Sequence, residues 1–369
     1  MSTPSFDLVV VGAGIVGLAH AAEAHARGLR VCVVERDERA VGASIRNFGH
    51  IGTTVQSGRA RIYAEVAREQ WLGLGAKAGF EVREAGTLVV ARSAAELAVL
   101  EELAALKPDE ARAITAAEVV QRFPRATDEV VGGAFLPRDL RTDARTAIPA
   151  LAAWLEAEGV AFRWATSVTS FDPGAVHTSR GDIAGERIVH ASGHDIDRLF
   201  PAIAEQRGVR RCRLQMLEVA PPGDVRIEPA VLTGTGLIRY GGLAELASAA
   251  AVRAEFERER PELLDIVLNL MLTQRPDGSI VLGDTHHYDR THLPFDDEDV
   301  TELVLREGAR LLGADLKVRR RWRGVYADSP QTDFLIAEPY AGTRVVSVTS
   351  GIGMTTALGL APSVLDDLL

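Results

Sequence analysis

The stretch Phe6-Asp7-Leu8-Val9-Val10-Val11-Gly12-Ala13-Gly14-Ile15-Val16-Gly17-Leu18-Ala19 decides the fold. Its first six residues are an apolar, largely β-branched run that stops abruptly at glycine, the pattern of a buried strand. Helical spacing then predicts a helix over 15–27 that ends at Gly28, followed by a second apolar strand over 29–35. Strand, helix and strand make a unit about 30 residues long, consistent with a right-handed crossover between parallel strands. Gly12-Ala13-Gly14-Ile15-Val16-Gly17 fits G-x-G-x-x-G at the turn between strand and helix. The first glycine permits the tight turn, the second lets a pyrophosphate approach the backbone, and the third lets helix and strand pack closely. The helix N-terminus adds unpaired N–H groups and a partial positive charge for phosphates. Glu35 ends the second strand, where its carboxylate can accept both ribose hydroxyl protons, and Arg36 follows it. Alone the glycines would fit a structural turn, but strand, helix, strand and terminal acid together predict a dinucleotide site. They do not say which dinucleotide.

Outward from this unit, helical periodicity returns over 60–78, 94–106 and 142–158, and strand-like pieces over 87–91, 133–136, 161–171, 176–178 and 187–191. A strand is expected over 211–220, closing on Pro221-Pro222, and two more over 237–240 and 279–282. They bracket a region over 245–272 that reads as helical, broken before Pro261. The class is therefore α/β, with glycine-rich turns near both ends of the chain that can meet around one ligand. Such a domain is discontinuous: a Rossmann-like domain from 1–85, 140–205 and 320–369, with 86–139 and 206–319 inserted as a second α+β domain carrying a mostly antiparallel sheet.

Composition narrows the function classes. The chain has 369 residues, 47% hydrophobic and 25% charged, which excludes a disordered or fibrous protein. A net charge of −10 argues against nucleic acid as a partner. Two cysteines, Cys32 and Cys212, stand apart from any Cys/His cluster and support neither a disulfide framework nor a zinc site, so no metal is expected. The apolar run at 8–19 is interrupted by glycines, too short for a membrane span and without the basic flank of a signal peptide. No membrane partner is expected, and the cytoplasm is the default location.

Gly42-Ala43-Ser44-Ile45-Arg46-Asn47, just beyond Glu35, resembles the family of FAD-dependent amine and amino-acid oxidases that includes D-amino-acid oxidase, glycine oxidase and sarcosine oxidase. In that family such a stretch lies along the FAD pyrophosphate and flavin, which implies roles for Ala43, Ser44, Arg46 and Asn47. Three further matches spread the resemblance over nearly the whole chain. Ala191-Ser192-Gly193 looks like the family's A-T-G turn, with Val168 where a backbone group meets adenine. Arg275-Pro276-Asp277-Gly278 looks like its R-P-x-x-D-G hairpin over the flavin, and Gly351-Ile352-Gly353-Met354-Thr355 like its C-terminal turn at the flavin's pyrimidine edge. Thr356 replaces a third glycine there, and Ser329-Pro330-Gln331-Thr332-Asp333 departs from the family's T-P-D. Neither cysteine falls where sarcosine oxidases attach flavin, so noncovalent FAD is expected.

The resemblance implies that an amine gives hydride from the carbon beside nitrogen to flavin N5, that water hydrolyses the imine, and that O2 takes the electrons. The cofactor carries the hard chemistry while the protein orients the C–H bond and excludes water. Substrates of this family are small anions, which need a fixed cation; the candidates are Arg46, Arg239 with Tyr240, and Arg275. His286-His287-Tyr288 follows Gly283, and since adjacent strand residues face opposite ways at most one histidine enters the site. His286 is the better match to a substrate-binding histidine of the family; His287 stays a candidate beside it. His50, beyond Arg46-Asn47, is placed to face the flavin ring. Arg319-Arg320-Arg321 and Arg323 read as a solvated strand face. The runs Ser44-Ile45-Arg46-Asn47-Phe48-Gly49 and Cys212-Arg213-Leu214-Gln215-Met216-Leu217 look most like a subgroup that breaks down aminophosphonates. That implies 2-aminoethylphosphonate or its N-methyl form as substrate and phosphonoacetaldehyde as product. Glycine, sarcosine or D-amino-acid oxidation, 2-hydroxy-acid dehydrogenation with His50 or His286 as base, and a flavoprotein subunit without turnover are the alternatives. The sequence leaves the oligomeric state open.

Overall fold

The computed structural model describes residues 6–127 and 129–369. The first five residues of the expected segment 1–85 lie outside them. Among the described residues the strands form three sheets.

The first sheet grows from the β-branched runs. Phe6–Val11 pairs in parallel with Val31–Val34 on one side and with Ile183–His190 on the other. Ala161–Arg163 continues the parallel order beyond Val31–Val34, and Thr343–Val348 continues it beyond Ile183–His190. Both faces of such a sheet must be covered, so its strands are apolar throughout rather than alternating. Leu8 and Val10 point into a core with helices Ile15–Ala26, Ala144–Ala157, Gly58–Ala78 and Gly353–Leu368, while Val9 and Val11 point to the opposite face. There an antiparallel meander, Val168–Asp172, Ala175–Thr178 and Ile183–His190, closes the layer.

The second sheet has nine strands and is antiparallel except where Ala230–Leu232 lies parallel to Thr87–Ala91. At its centre Arg210–Val219 pairs with Ile280–Gly283 on one side and with Val318–Asp328 along its full length on the other. A small third sheet, His50–Ile51, Leu140–Thr142 and Val82–Arg83, joins the two layers.

Three sequence expectations change. The strand Val318–Asp328 straddles the boundary expected at 320 and hydrogen-bonds to Arg210–Val219 in the second sheet. Residues 237–240 are not a strand: Gly234–Leu237 and Gly241–Ala244 are short helices. Glycines allow the crowding there, since a Cβ on Gly234 would lie 1.9 Å from Glu96 Oε1 and one on Gly242 2.7 Å from the Val55 carbonyl. The helical region over 245–272 breaks into Ala249–Glu259 and Pro261–Asp265, and its end, Met271–Gln274, is a strand. Pro261 has no N–H to continue the helix and starts a new one. The run beyond it is paired on both flanks, Leu272 lying opposite Val231 and Leu282.

Candidate active site

A cavity of about 470 Å³ runs from the carboxyl ends of the parallel strands to the face of the second sheet. The crevice outside those strand ends is where open α/β sheets bind ligands.

At its mouth the fingerprint glycines are sterically required. Gly12 has φ +104°, and a Cβ on it would lie 2.5 Å from the Ala191 carbonyl oxygen. A Cβ on Gly17 would stand 1.8 Å from the Gly12 carbonyl oxygen, so helix and strand could not close. Glu35 accepts the Ala13 N–H on Oε2 at 2.8 Å and the Asp37 N–H on Oε1 at 3.1 Å, which fixes its carboxylate beside the turn. The Ile15 N–H donates to Ser44 Oγ at 2.8 Å. Asn47 donates to the Ala43 and Ser44 carbonyls and accepts the Gly49 N–H at 2.7 Å, shaping that loop from within. Arg36 pairs with Asp195 at 2.6 Å beside Val168 at the far end.

Deeper in, Ser192 and Ser350 each bury a hydroxyl with no partner among the described residues. The last helix, Gly353–Leu368, presents its N-terminus after Gly351, at φ +78°. Trp71 Nε1 donates to the Met354 carbonyl at 2.7 Å and Gly52 N–H to Thr355 Oγ1 at 3.2 Å, which tie that turn in place. Thr356, which stands in for a glycine, is buried and returns its hydroxyl to the Ile352 carbonyl at 2.9 Å. A glycine cradle, two orphan hydroxyls and two helix N-termini as donors, with a fixed carboxylate as acceptor, fit a flavin dinucleotide.

The inner end lies between the sheets. Arg239 donates to Tyr288 Oη at 3.3 Å and to Tyr326 Oη at 3.1 Å. Among the described residues no carboxylate stands within ion-pair distance of it. Asp284 is buried on the same wall; Asn269 Nδ2 donates to its Oδ1 at 3.2 Å. Burial pushes its carboxyl up to about 6, against the opposing pull of Arg239 and Asn269. His286 hydrogen-bonds through Nδ1 to the Val267 carbonyl at 2.8 Å, so Nδ1 carries the proton and Nε2, 3.7 Å from Asp284 Oδ2, is an acceptor. Burial, and then the charge of Arg239, hold this imidazole neutral, well below its ordinary range. Tyr240 accepts from Asn269 Nδ2 at 3.3 Å. His50 meets Thr87 Oγ1 at 2.7 Å, with Asp139 Oδ2 at 3.7 Å.

The candidates therefore fall into three groups. The cavity is lined by Gly12, Gly14, Ile15, Val16, Glu35, Arg36, Ala43, Ser44, Arg46, Asn47 and Val168 from the first part of the chain. Ala191, Ser192, Gly193 and residues 351–355 line it from the rest of the first layer, and His50, Arg239, Tyr240 and His286 at the inner end. Ala13 and Gly17 stand behind the wall, one holding Glu35 and the other packed on Gly12. Arg275 and His287 do not reach the cavity. Arg275 turns outward to Asp143 at 2.9 Å and Glu218 at 3.5 Å, because the strand before it ends at Gln274 and the hairpin turns away. His287 is exposed on the opposite face from His286, its ring 5.3 Å from that of His292.

Asp284, Asn269 and Tyr326 are the wall residues missed from the sequence. Asp284 had a signal, an acid that follows the apolar run at 280–282 after a single glycine, Gly283. Tyr326 was hidden in the strand that begins with arginines. Neither cysteine lines the cavity, and both thiols are pushed up by burial, Cys32 to about 11 and Cys212 to about 12. Among the described residues no cluster of His, Cys, Asp or Glu is arranged for a metal, and no helix is long and apolar enough to cross a membrane.

The family model for FAD dependent oxidoreductases, DAO, matches residues 7–364. An opine oxidase subunit of Rhizobium meliloti is 25% identical over 217 residues, which are 53% of this chain and 58% of that protein. The chain thus matches little more than half the length of that curated relative. The crystal structure of L-proline dehydrogenase from P. horikoshii superposes with a TM-score of 0.81 at 20% identity, covering 99% of this chain and 93% of that one. Glycine oxidase from Geobacillus kaustophilus gives a TM-score of 0.79 at 19% identity, covering 99% and 95%. At such identities the two structures establish a shared fold.

Proposed function

This chain belongs to the DAO family of FAD dependent oxidoreductases, and from that premise we propose that it oxidises the carbon–nitrogen bond of a small anionic amine. The observation that carries this reading is Arg239. A guanidinium at the end of a cofactor cavity, held by two neutral tyrosine hydroxyls and by no carboxylate, is a fixed cation waiting for an anion.

Gly12, Gly14, Ile15, Val16, Glu35, Ala43, Ser44, Arg46, Asn47, residues 191–193 and residues 351–355 would hold FAD noncovalently, and FAD would supply the two-electron acceptor. The chain's own residues do the rest. Arg239, with the Tyr288 and Tyr326 hydroxyls, binds the substrate's anionic group and so orients its carbon skeleton. Asp284, near Arg239 on the same wall, faces the opposite charge of a zwitterion and takes the proton that the ammonium must lose before its carbon can be oxidised. Neutral His286 accepts on Nε2 and helps hold that proton near the nitrogen.

The particular substrate we propose is an aminophosphonate, 2-aminoethylphosphonate or its N-methyl form, released after imine hydrolysis as phosphonoacetaldehyde and ammonia or methylamine. The stretches Ser44–Gly49 and Cys212–Leu217 support this, and so does an anion end with several donors. O2 is the proposed final acceptor and the cytoplasm the proposed location. The neutral His286 favours one competing reading, removal of a hydroxyl proton from a 2-hydroxy acid.

The test is anaerobic bleaching of the holoenzyme's flavin by 2-aminoethylphosphonate, its N-methyl form, glycine, sarcosine, D-amino acids and 2-hydroxyglutarate, followed by air. Rapid bleaching by the phosphonates and recovery in air is the expected result. Bleaching by the carboxylates alone removes the aminophosphonate. Bleaching by the hydroxy acid and by no amine overturns the C–N reading.

A further inference from the structure

Beyond the wall formed by Asn47 and Phe48, which also line the main cavity, a second cleft of about 30 Å³ opens between the small third sheet and the central hairpin. Four arginines face it: Arg83, Arg141, Arg145 and Arg275. Three have carboxylate partners. Arg83 pairs with Glu81 at 2.8 Å, Arg145 with Glu218 at 2.7 Å, and Arg275 with Asp143 at 2.9 Å.

Arg141 has none. It sits mid-strand in Leu140–Thr142, its backbone paired with His50 on one side and Arg83 on the other, and it is only 5% exposed. Its Nε and Nη1 are buried without a hydrogen-bond partner among the described residues, and no carboxylate is within 4.0 Å of it. Burial, and then the neighbouring charge of Arg83, push its guanidinium down to about 10, still protonated at neutral pH. A buried, unpaired cation is among the most costly arrangements a fold can keep. Glu228 and Glu81 act on it only from a distance.

We propose that this cleft is a binding site for a small inorganic monoanion of halide size, held by Arg141. Of the four, Arg141 is the one without a carboxylate partner among the described residues, so a single negative charge matches it. The cleft, at about 30 Å³, exceeds the roughly 10–15 Å³ that one water needs, so a halide ion fits within it. The ligand bridges the third sheet and the loop Asn47–Phe48, so it stabilises the junction behind the main cavity. Nothing in this assignment depends on the substrate of that cavity.

The experiment is thermal unfolding of the holoenzyme at constant ionic strength while sodium gluconate is exchanged for sodium chloride. The midpoint should rise with the logarithm of chloride concentration above the dissociation constant, by about 3 °C once chloride exceeds that constant a hundredfold. Arg141→Met should unfold at a temperature that no longer responds to the exchange. A second measurement needs no variant: crystals of the wild-type protein grown in bromide should show anomalous density beside Arg141. Equal wild-type midpoints in chloride and gluconate, an undiminished chloride response in Arg141→Met, or bromide crystals with no anomalous density in the cleft would each overturn the proposal.

Discussion

Asp284 Oδ2 and His286 Nε2 stand 3.7 Å apart on the inner wall of the cavity, the histidine fixed as an acceptor by its bond to the Val267 carbonyl. At that distance the two acceptors are not hydrogen-bonded to each other, and both are left to face the cavity. Arg239, Asn269, Tyr240, Tyr288 and Tyr326 also surround this pair. The carboxyl's position at about 6 therefore sets a pH dependence. Below pH 6 Asp284 is protonated and cannot take a proton from a substrate ammonium; above it the carboxylate is ready. The kcat/KM for a zwitterionic amine should rise with pH through an inflection near 6, and Asp284→Asn should lose that inflection and about 10²-fold in rate. Stability runs the other way. The folded carboxyl lies above its ordinary 3.8, so the native state holds the extra proton, and stability falls as pH rises between about 4 and 6. Denaturant titrations of wild type and Asp284→Asn across that window measure it; a wild-type stability that climbs with pH there, relative to the variant, contradicts the assignment.

Arg239 should separate binding from folding. Arg239→Met removes the guanidinium but keeps much of its apolar stem, so FAD content and thermal midpoint should stay close to wild type. The kcat/KM for the anionic substrate should fall by about 10²–10³-fold, mostly through KM, because a paired charge-assisted contact is lost. Arg239→Lys should recover part of it, since a point charge replaces a planar fork. Steady-state kinetics with an anionic amine and a neutral amine of equal length tell the two contributions apart; equal losses on both would mean that Arg239 does not bind the anion.

How far the sequence reaches is visible at particular residues. The fingerprint turn was legible because each glycine answers a steric demand that no other residue meets: Gly12 beneath Ala191, Gly17 against Gly12. The split between His286 and His287 was half legible: His286 lines the cavity and His287 is exposed, but His286 precedes the strand His287–Asp289 rather than alternating within it. Arg275 was not. Its motif fits the hairpin, and the hairpin forms, with the Arg275 N–H donating to the Ser279 carbonyl at 2.8 Å. The side chain's direction, however, is chosen by Asp143 and Glu218, which lie 132 and 57 positions away in the chain. Asp284 and Tyr326 meet Arg239's surroundings only through sheet pairing of distant strands, an outcome that local periodicity does not encode. The same long-range pairing carries the strand Val318–Asp328 across the expected boundary at 320 into the second sheet.

The glycine cradle gives a prediction that is independent of substrate. Gly12→Ala would place a methyl group 2.5 Å from the Ala191 carbonyl oxygen at a φ of +104° that alanine rarely adopts. The turn must open, and the diphosphate loses its close approach to the backbone. The purified variant should be pale, with an FAD-to-protein ratio well below that of wild type in the absorbance spectrum. A fully yellow Gly12→Ala protein of normal stoichiometry would show that the cofactor does not rest on this turn.

Gly359 carries a structural test of the C-terminal turn. Helix Gly353–Leu368 crosses helix Gly58–Ala78 so closely that a Cβ on Gly359 would lie 2.0 Å from the Tyr63 carbonyl oxygen and 3.0 Å from Tyr63 Cα. Both contacts are backbone, so no flexible side chain can yield. Gly359→Ala must push the helices apart against a core that includes Trp71, Leu358 and Ala361. Overpacking of this kind costs about 1–3 kcal/mol, and the better helix propensity of alanine offsets only part of it. The displacement is also felt at the cavity, because Trp71 Nε1 holds the Met354 carbonyl and Gly52 holds Thr355. The variant should therefore lose several degrees in midpoint and also bind FAD more weakly. Gly73→Ala, at an exposed position of the same long helix where an added Cβ meets nothing within 4 Å, should leave FAD binding unchanged and the midpoint equal or slightly raised. Midpoints and FAD titrations of the two variants side by side decide it: if Gly359→Ala behaves like Gly73→Ala, close packing of the last helix does not position the turn at 351–355.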